Sequence, residues 1–520
     1  MHTGYTVCIF FIRWSQQSVD TLVIQNLVIL GGGTAGWMAA AAFSKIFRAD
    51  KLHIRLIESD EIGTIGVGES TIPAIRDFNR LLEIDEKEFI RETMAIPKLA
   101  IKFSDWGRIG EEYFHPFGQV GHDINAVDFH QYWLSLRHEN DIAEFSRYSV
   151  AAEAAEQGRF SFPSQDSNFW SSTFSYAFHF DAGLYAAYLR KYAQARGVER
   201  IEGKYLNADR NPDSGDIVRL HLASGIVIAA DFFIDATGFR ALLLDGVLQS
   251  PYESWSQWLK CDSAIAVPSA SKKTLKAFTH ATAHSAGWRW RIPLQHRVGN
   301  GSVYSSEYMS REDALDDLLV NLESEPLVEP RHLSFMPGKR QQQWKNNCVS
   351  IGLSGGFLEP LESTSIYLIQ FGIQKLIEYF PVSPDFSLAQ QEFNRQLSTE
   401  YLRIRDFIIM HYAENQRDDS VFWQDCRNMP LPEGLAYRQF MFGRAGIVDP
   451  TQYGVYASVC LGQNLIPEFY DARVNAIPLP DRKTILKEIK REQESFISKF
   501  PRLEDWLRNL GANAGAMENE

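Results

Sequence analysis

The run Asn26-Leu27-Val28-Ile29-Leu30 is continuously apolar, the pattern of a parallel strand buried on both faces. A glycine turn follows, and Trp37-Met38-Ala39-Ala40-Ala41-Ala42-Phe43 predicts a helix of small residues. Leu52 to Ile57 predicts a second strand that closes on Glu58, so the chain opens as a βαβ unit and not as a hairpin. Residues 71–106 read as mostly helix and loop. Residues 181–196 predict an amphipathic helix with Leu184, Tyr188, Leu189 and Tyr192 on one side. Strands over Ile217 to Leu222 and Ile226 to Ala229 lead into the apolar run ending Asp235-Ala236-Thr237-Gly238. Residues 347–352 predict one more strand, with a helix running on from about Ser363. From 387 the pattern is mainly helical, broken by the Pro/Gly-bearing stretch 429–450, with a charged helix over 481–498 and a frayed end. No internal repeat or low-complexity linker interrupts it.

Composition narrows the class. A chain of 520 residues should carry more than one core. Its net charge of -13 argues against nucleic acid, whose phosphates need a basic face. The five cysteines are scattered without CxxC or zinc spacing, which predicts reduced thiols, no metal site and a cytoplasmic protein. The apolar run Val7 to Ile12 is too short to span a bilayer and lacks the flanks of a signal peptide. Residues 1–24 read as an extension upstream of the fold, and no membrane partner is expected.

Two features carry chemistry. Gly31-Gly32-Gly33-Thr34-Ala35-Gly36 places G-x-G-x-x-G between a strand and a helix. Gly31 permits the turn, Gly33 lets backbone approach a pyrophosphate, Gly36 lets helix and strand pack, and the amides from Thr34 and Ala35 onward face the anion. Glu58 follows about 20 residues later, where an acid grips ribose hydroxyls. The second feature is Gly287-Trp288-Arg289-Trp290-Arg291-Ile292-Pro293. Trp288 and Trp290 share one strand face and predict a flat aromatic wall that ends at the proline. Such a wall beside a nucleotide suggests a redox site from which something is excluded.

The insertion Gly63-Thr64-Ile65-Gly66-Val67-Gly68-Glu69-Ser70 and the late return to the sheet at Phe232 to Gly238 resemble the FAD-binding fold of flavin monooxygenases. The fold class expected is therefore α/β, with a Rossmann-type sheet and an interleaved, mainly helical substrate domain. The expected division is an extension over 1–24, an FAD-binding module with substrate-binding insertions over 25–385, a helical substrate or lid region over 386–510, and a tail over 511–520. The stretches 31–38, 66–73, Trp-Arg-Trp-Arg-Ile-Pro at 288–293 and Phe357-Leu358-Glu359-Pro360-Leu361-Glu362-Ser363-Thr364 together resemble the flavin-dependent tryptophan halogenase family.

That resemblance implies a set of roles. FAD, used as FADH2 from a separate flavin reductase, reacts with oxygen and a halide ion, chloride or bromide, to give hypohalous acid. The oxidant travels to a lysine beside an aromatic ring. Lys98, ahead of Ile101-Lys102-Phe103, matches that lysine, and Lys102 is read as an ordinary surface charge. Glu362 matches the family's catalytic acid, with Glu359 the competing choice. Thr364 and Ser365 match a backbone halide site, although the family often has Gly where this chain has Ser365. His115 and Phe117 match residues that sandwich an indole. Gly68, Gly238 and Leu353 would meet the flavin along with the turn. A homodimer is a family-level expectation. Between Phe440 and Gln463, through Tyr453 and Tyr456, the family's Tyr-Tyr and Phe-Trp pairs are missing, which implies an open pocket for indole-like rings with poor use of free tryptophan. An aromatic hydroxylase passing oxygen directly from flavin to substrate is the alternative, and a non-catalytic FAD-binding protein a further one.

Overall fold

The structure is a computed structural model that describes residues 22–61, 69–163, 169–271, 274–448 and 456–511. Most of the extension, most of the 63–70 insertion with Gly68, Tyr453 and nearly all of the C-terminal tail lie outside the described residues.

The opening βαβ unit forms the centre of a six-stranded sheet. Its strands run in the order Trp344–Lys345, Cys348–Ser350, Phe232–Asp235, Asn26–Leu30, His53–Glu58, Glu199–Glu202. Leu30 sits in parallel register with both Ile57 and Asp235, so the first strand has a neighbour on each side and its Leu27, Val28 and Ile29 are wholly buried. This is the arrangement that a continuous apolar run requires. The helix Thr34–Ile46 is buried from Gly36 to Phe43, because it packs against the sheet, the helix Ala182–Gln194 and the helix Ser365–Glu378. Small alanines permit that close approach on several sides.

A second sheet of seven strands holds the tryptophan strand. Its order is Arg331–Ser334, Ser263–Ser269, Val298–Tyr304, Gly287–Pro293, Phe278–His284, Ala100–Ser104, Glu112–Pro116. Residues 71–106 are therefore not mainly helix and loop. Two short helices, Ala74–Leu81 and Glu86–Glu92, give way to the strands Ile96–Lys98 and Ala100–Ser104. The second pairs in parallel with Phe278–His284, a partner far along the chain that no local pattern announces.

Three local expectations also shift. In the helix Ala182–Gln194 the buried stripe is Tyr185, Ala186, Leu189 and Ala193, while Leu184 is exposed. Asp181 caps the helix through the amides of Gly183 and Leu184. The stretch 429–450 contains the helix Glu433–Ala445, with Pro432 at its start and Gly446 at φ 63° at its end. Proline and glycine mark its boundaries instead of breaking it. The helix expected from about Ser363 begins at Ser365.

From Ser387 the named elements are all helical. They close back on the rest: Leu503 donates its amide to Gly158 and Glu504 accepts from the amide of Leu275. Four cysteines, Cys261, Cys348, Cys426 and Cys460, are buried free thiols. Among the described residues no cluster of metal-ligating side chains occurs and no helix is long and apolar enough to cross a membrane.

Candidate active site

The glycine turn has the shape of a phosphate cradle. Gly31 has φ +115°, and a Cβ there would lie 2.3 Å from the Ala236 carbonyl oxygen. A Cβ on Gly36 would lie 1.9 Å from the Gly31 oxygen, whereas one on Gly33 would meet nothing within 4 Å. Two glycines thus serve close packing, and the third faces open space ahead of the helix that starts at Thr34. The first turn of that helix carries no acidic residue, so its amides remain suited to an anion. Gly238, at φ +69°, also borders open space. Ala35 packs toward Gly352, at the head of the turn Gly352–Ser354 that carries Leu353. These features fit the pyrophosphate and ring of a dinucleotide.

Two acids support the cradle. Asp235 is buried and accepts from Thr237 N at 3.0 Å, Thr237 Oγ1 at 2.6 Å and the amides of Leu243 and Leu244 at 2.8 Å. It therefore shapes the loop before Gly238. Glu58 ends its strand over Gly32, accepts from Trp37 Nε1 at 3.2 Å and pairs with Arg200 at 2.5 Å. The carboxylate is where the sequence pattern needs it, but an arginine shares it.

The reactive groups converge from four separate segments. Lys98, at the end of Ile96–Lys98, is fully buried. Its Nζ donates to Ser363 Oγ at 2.8 Å and the Thr71 carbonyl at 3.1 Å, and lies 4.8 Å from the centre of the Phe117 ring. Burial pushes this amine well below its ordinary value, and the negative charge of Glu362 only partly opposes it. Lys102 differs: it pairs with Glu112 at 2.8 Å near the surface.

Glu362 is equally enclosed. Its Oε2 lies 2.7 Å from His115 Nδ1 and its Oε1 lies 2.8 Å from His411 Nε2. Burial raises the carboxyl, but the two imidazoles outweigh it and hold the group at about 2. His411 Nδ1 donates to the Phe407 carbonyl at 2.8 Å. That bond orients the ring so that Nε2 is the nitrogen turned toward Glu362.

His115 and Phe117 do not form the expected sandwich. Their rings meet at 77° with centroids 6.3 Å apart, whereas a ring between them needs two contacts of about 3.5 Å each. His115 is instead the partner of Glu362, and Phe117 is a floor beneath Lys98.

Glu359, the competing acid, serves the aromatic wall. It accepts from Trp288 Nε1 at 3.3 Å and the Tyr412 hydroxyl at 3.0 Å, and burial raises it to about 7. Trp288 and Trp290 are both buried with centroids 6.1 Å apart, but their planes differ by 57°. The wall is folded, not flat, because Trp290 lies over Gly301 while Trp288 turns toward Glu359.

The turn after Glu362 prepares a helix end. Ser363 takes φ 59°, Thr364 is the N-cap without a side-chain cap bond, and Ser365 begins a helix of 14 residues. Its first amides keep donor capacity. In the segment Phe440 to Gln463, Phe440 is exposed, Tyr456 is buried, and Glu414, raised to about 7 by burial, lies close by.

Pattern reasoning missed His411, Ser363, Glu359 as a wall ligand, and Phe407. Ser363 sat inside a quoted motif, but His411 lies within the helix Ser387–Ala413 and carries no sequence signal.

A nucleotide cradle, a buried amine, an anchored carboxylate and a strand with paired tryptophans occur together in flavin-dependent halogenases. The family model for tryptophan halogenase matches residues 26–479, and the chain belongs to that family. It is similar in structure to a flavin-dependent halogenase from Xanthomonas campestris, with a TM-score of 0.90 and 42% identity over 94% of this chain and 98% of that one. BrvH, a flavin-dependent halogenase from Brevundimonas sp. BAL3, gives a TM-score of 0.90 at 40% identity, over 94% and 99% of the two chains. The tryptophan 7-halogenase RebH of Lentzea aerocolonigenes is 31% identical over 93% of this chain and 98% of its own.

Proposed function

We propose that this protein is a two-component halogenase that places chlorine or bromine on an indole-like ring, with Lys98 carrying the halogen and Glu362 stabilising the ring. The observation that carries the reading is the fully buried Lys98 amine, held by Ser363 and Thr71 above the Phe117 ring. Gly33, Glu58 and Gly238, on the turn that Gly31 and Gly36 shape by close packing, would hold FAD, which in its reduced form would supply with oxygen the oxidising power that turns halide into hypohalous acid. The amides of Thr364 and Ser365 hold the halide, and the Trp288/Trp290 strand keeps the organic substrate away from the cofactor.

Lys98 then acts in either charge state. As an ammonium it donates a hydrogen bond and polarises the oxidant; as an amine it forms a nitrogen–halogen bond, with water leaving. Electrophilic attack builds positive charge on the aromatic ring. A carboxylate held at about 2 is a weak proton acceptor but a constant anion, so Glu362 acts mainly by stabilising that charge. His115 and His411 fix both of its oxygens. The missing aromatic pairs between Phe440 and Gln463 support a preference for indole over free tryptophan.

Purified protein with FAD, a flavin reductase, NADH, air, indole and bromide should give a product with the bromine isotope pattern by mass spectrometry. A hydroxylated product carrying oxygen from air would replace this reading with the hydroxylase.

A further inference from the structure

Lys98 stands at one end of an unbroken line of side-chain hydroxyls. Its Nζ donates to Ser363 Oγ at 2.8 Å, and Ser363 Oγ donates to Ser70 Oγ at 3.0 Å. Ser70 Oγ lies 2.6 Å from Thr279 Oγ1, which lies 2.8 Å from His179 Nε2. Lys98, Ser363, Thr279 and His179 are all buried. They come from four distant parts of the chain, so the alignment is not a by-product of one turn. Ser70 and His179 face each other across an antiparallel pairing, and Thr279 comes from the tryptophan-bearing sheet.

A buried amine that must be charged at one stage and neutral at another has to exchange a proton out of reach of bulk water. Each hydroxyl can donate on one side while accepting on the other. When all three point away from Lys98, the last O–H donates to His179 Nε2. When all three reverse, that nitrogen carries a hydrogen and Ser363 donates to an amine lone pair.

We propose that His179 is a positioning residue that takes up and returns the Lys98 proton through Ser363, Ser70 and Thr279. In the forward step a Lys98 N–H bond breaks and a Ser363 O–H forms, Ser363 passes its own proton to Ser70, and Ser70 passes its own to Thr279. The Thr279 O–H breaks last and an N–H forms on His179. Ammonium and imidazole become amine and imidazolium, with no change in total charge and no heavy atom displaced. Burial lowers His179 well below the ordinary imidazole value, and Lys98 and Arg291 lower it further, while the Pro293 carbonyl favours the charged ring. Lys98 is also lowered by burial, so neither group holds the proton as firmly as it would in water. Glu362, anchored by His115 and His411, is the anion that favours the proton on the lysine side, and Glu69 adjoins Ser70.

This inference rests on the halogenase reading, and Thr279→Val tests it because valine keeps the shape and removes the hydroxyl. With FAD binding and thermal unfolding as controls, T279V should lower indole bromination about tenfold near pH 7. The acid limb of its rate–pH profile should move upward by about one unit, because Lys98 then loses the internal acceptor for its proton. Thr279→Ser should restore the wild-type profile. In the cofactor-free protein, the 15N signals of the His179 ring should respond to Lys98→Met, and that response should shrink in T279V to the through-space effect of the lost charge. A wild-type profile in T279V, or a T279S variant as defective as T279V, overturns the relay while leaving the halogenase intact. If T279V does not fold, Ser70→Ala breaks the same line and is judged by the same profile. Absence of brominated indole from the unaltered protein overturns the halogenase reading and this one with it.

Discussion

Lys98 and Glu362 both bind a proton less readily than the free groups, with opposite consequences for charge. The lysine loses its proton affinity to burial; the carboxyl resists burial because two imidazoles hold it. Folding opposes protonation of Lys98, so below its unfolded value of 10.5 the amine destabilises the native state as the pH falls toward its folded value. Lys98→Met should therefore raise the melting temperature at pH 7, with the gain shrinking toward pH 10, while FAD binding persists and halogenation is abolished. Full bromination by that variant would remove Lys98 from the mechanism. Glu362 gives the converse. Its native value of about 2 against 4.5 when free means that its stabilisation is complete above 4.5 and is lost as the pH falls toward 2. Glu362→Gln should flatten the acid side of a urea-midpoint against pH curve. It should also reduce kcat by roughly 10²-fold, the size of effect seen for one preorganised electrostatic group.

Among the elements, the tryptophan strand shows how a sheet position constrains chemistry. Trp290 stands opposite Gly301 in register, and a Cβ at Gly301 would meet the indole ring at 2.1 Å. Gly301→Ala should cost about 1–3 kcal/mol through overpacking, read by chemical denaturation, and should change the fluorescence of the wall. The glycine turn makes a matching case: Gly31→Ala combines a forbidden φ with a 2.3 Å clash and should abolish FAD binding in a fluorescence titration. The first βαβ unit and the tryptophan strand were legible in the sequence because their signals are local: an apolar run, a glycine spacing, a repeat of two. The strands Ile96–Lys98 and Ala100–Ser104 were not, since their pairing partners lie at Ala177–Phe180 and Phe278–His284. Leu184 was misassigned because the helix buries the face of Tyr185, Ala186, Leu189 and Ala193 instead, and its packing partner Thr34–Ile46 lies far back in the chain.

For the whole molecule, halogenation needs a separate source of reduced FAD and a pocket that suits its substrate. Protein given NADH without a reductase should make no halogenated product. Indole should be turned over faster than free tryptophan in a direct competition assayed by mass spectrometry; a strong preference for tryptophan would mean that Glu414 and Tyr456 replace the missing clamp. The sequence by itself determined the class of chemistry, because the glycine turn, the paired tryptophans and the Glu362-Ser363-Thr364 motif are each readable within a few residues and together resemble one family. Only the tertiary structure decided what Lys98 and Glu362 experience. Their partners, His115, His411, Ser363 and, through hydroxyls, His179, come from strands and helices far apart in the chain. Charge state inside a protein depends on burial and on neighbours within a few ångströms, and chain folding alone brings those neighbours together.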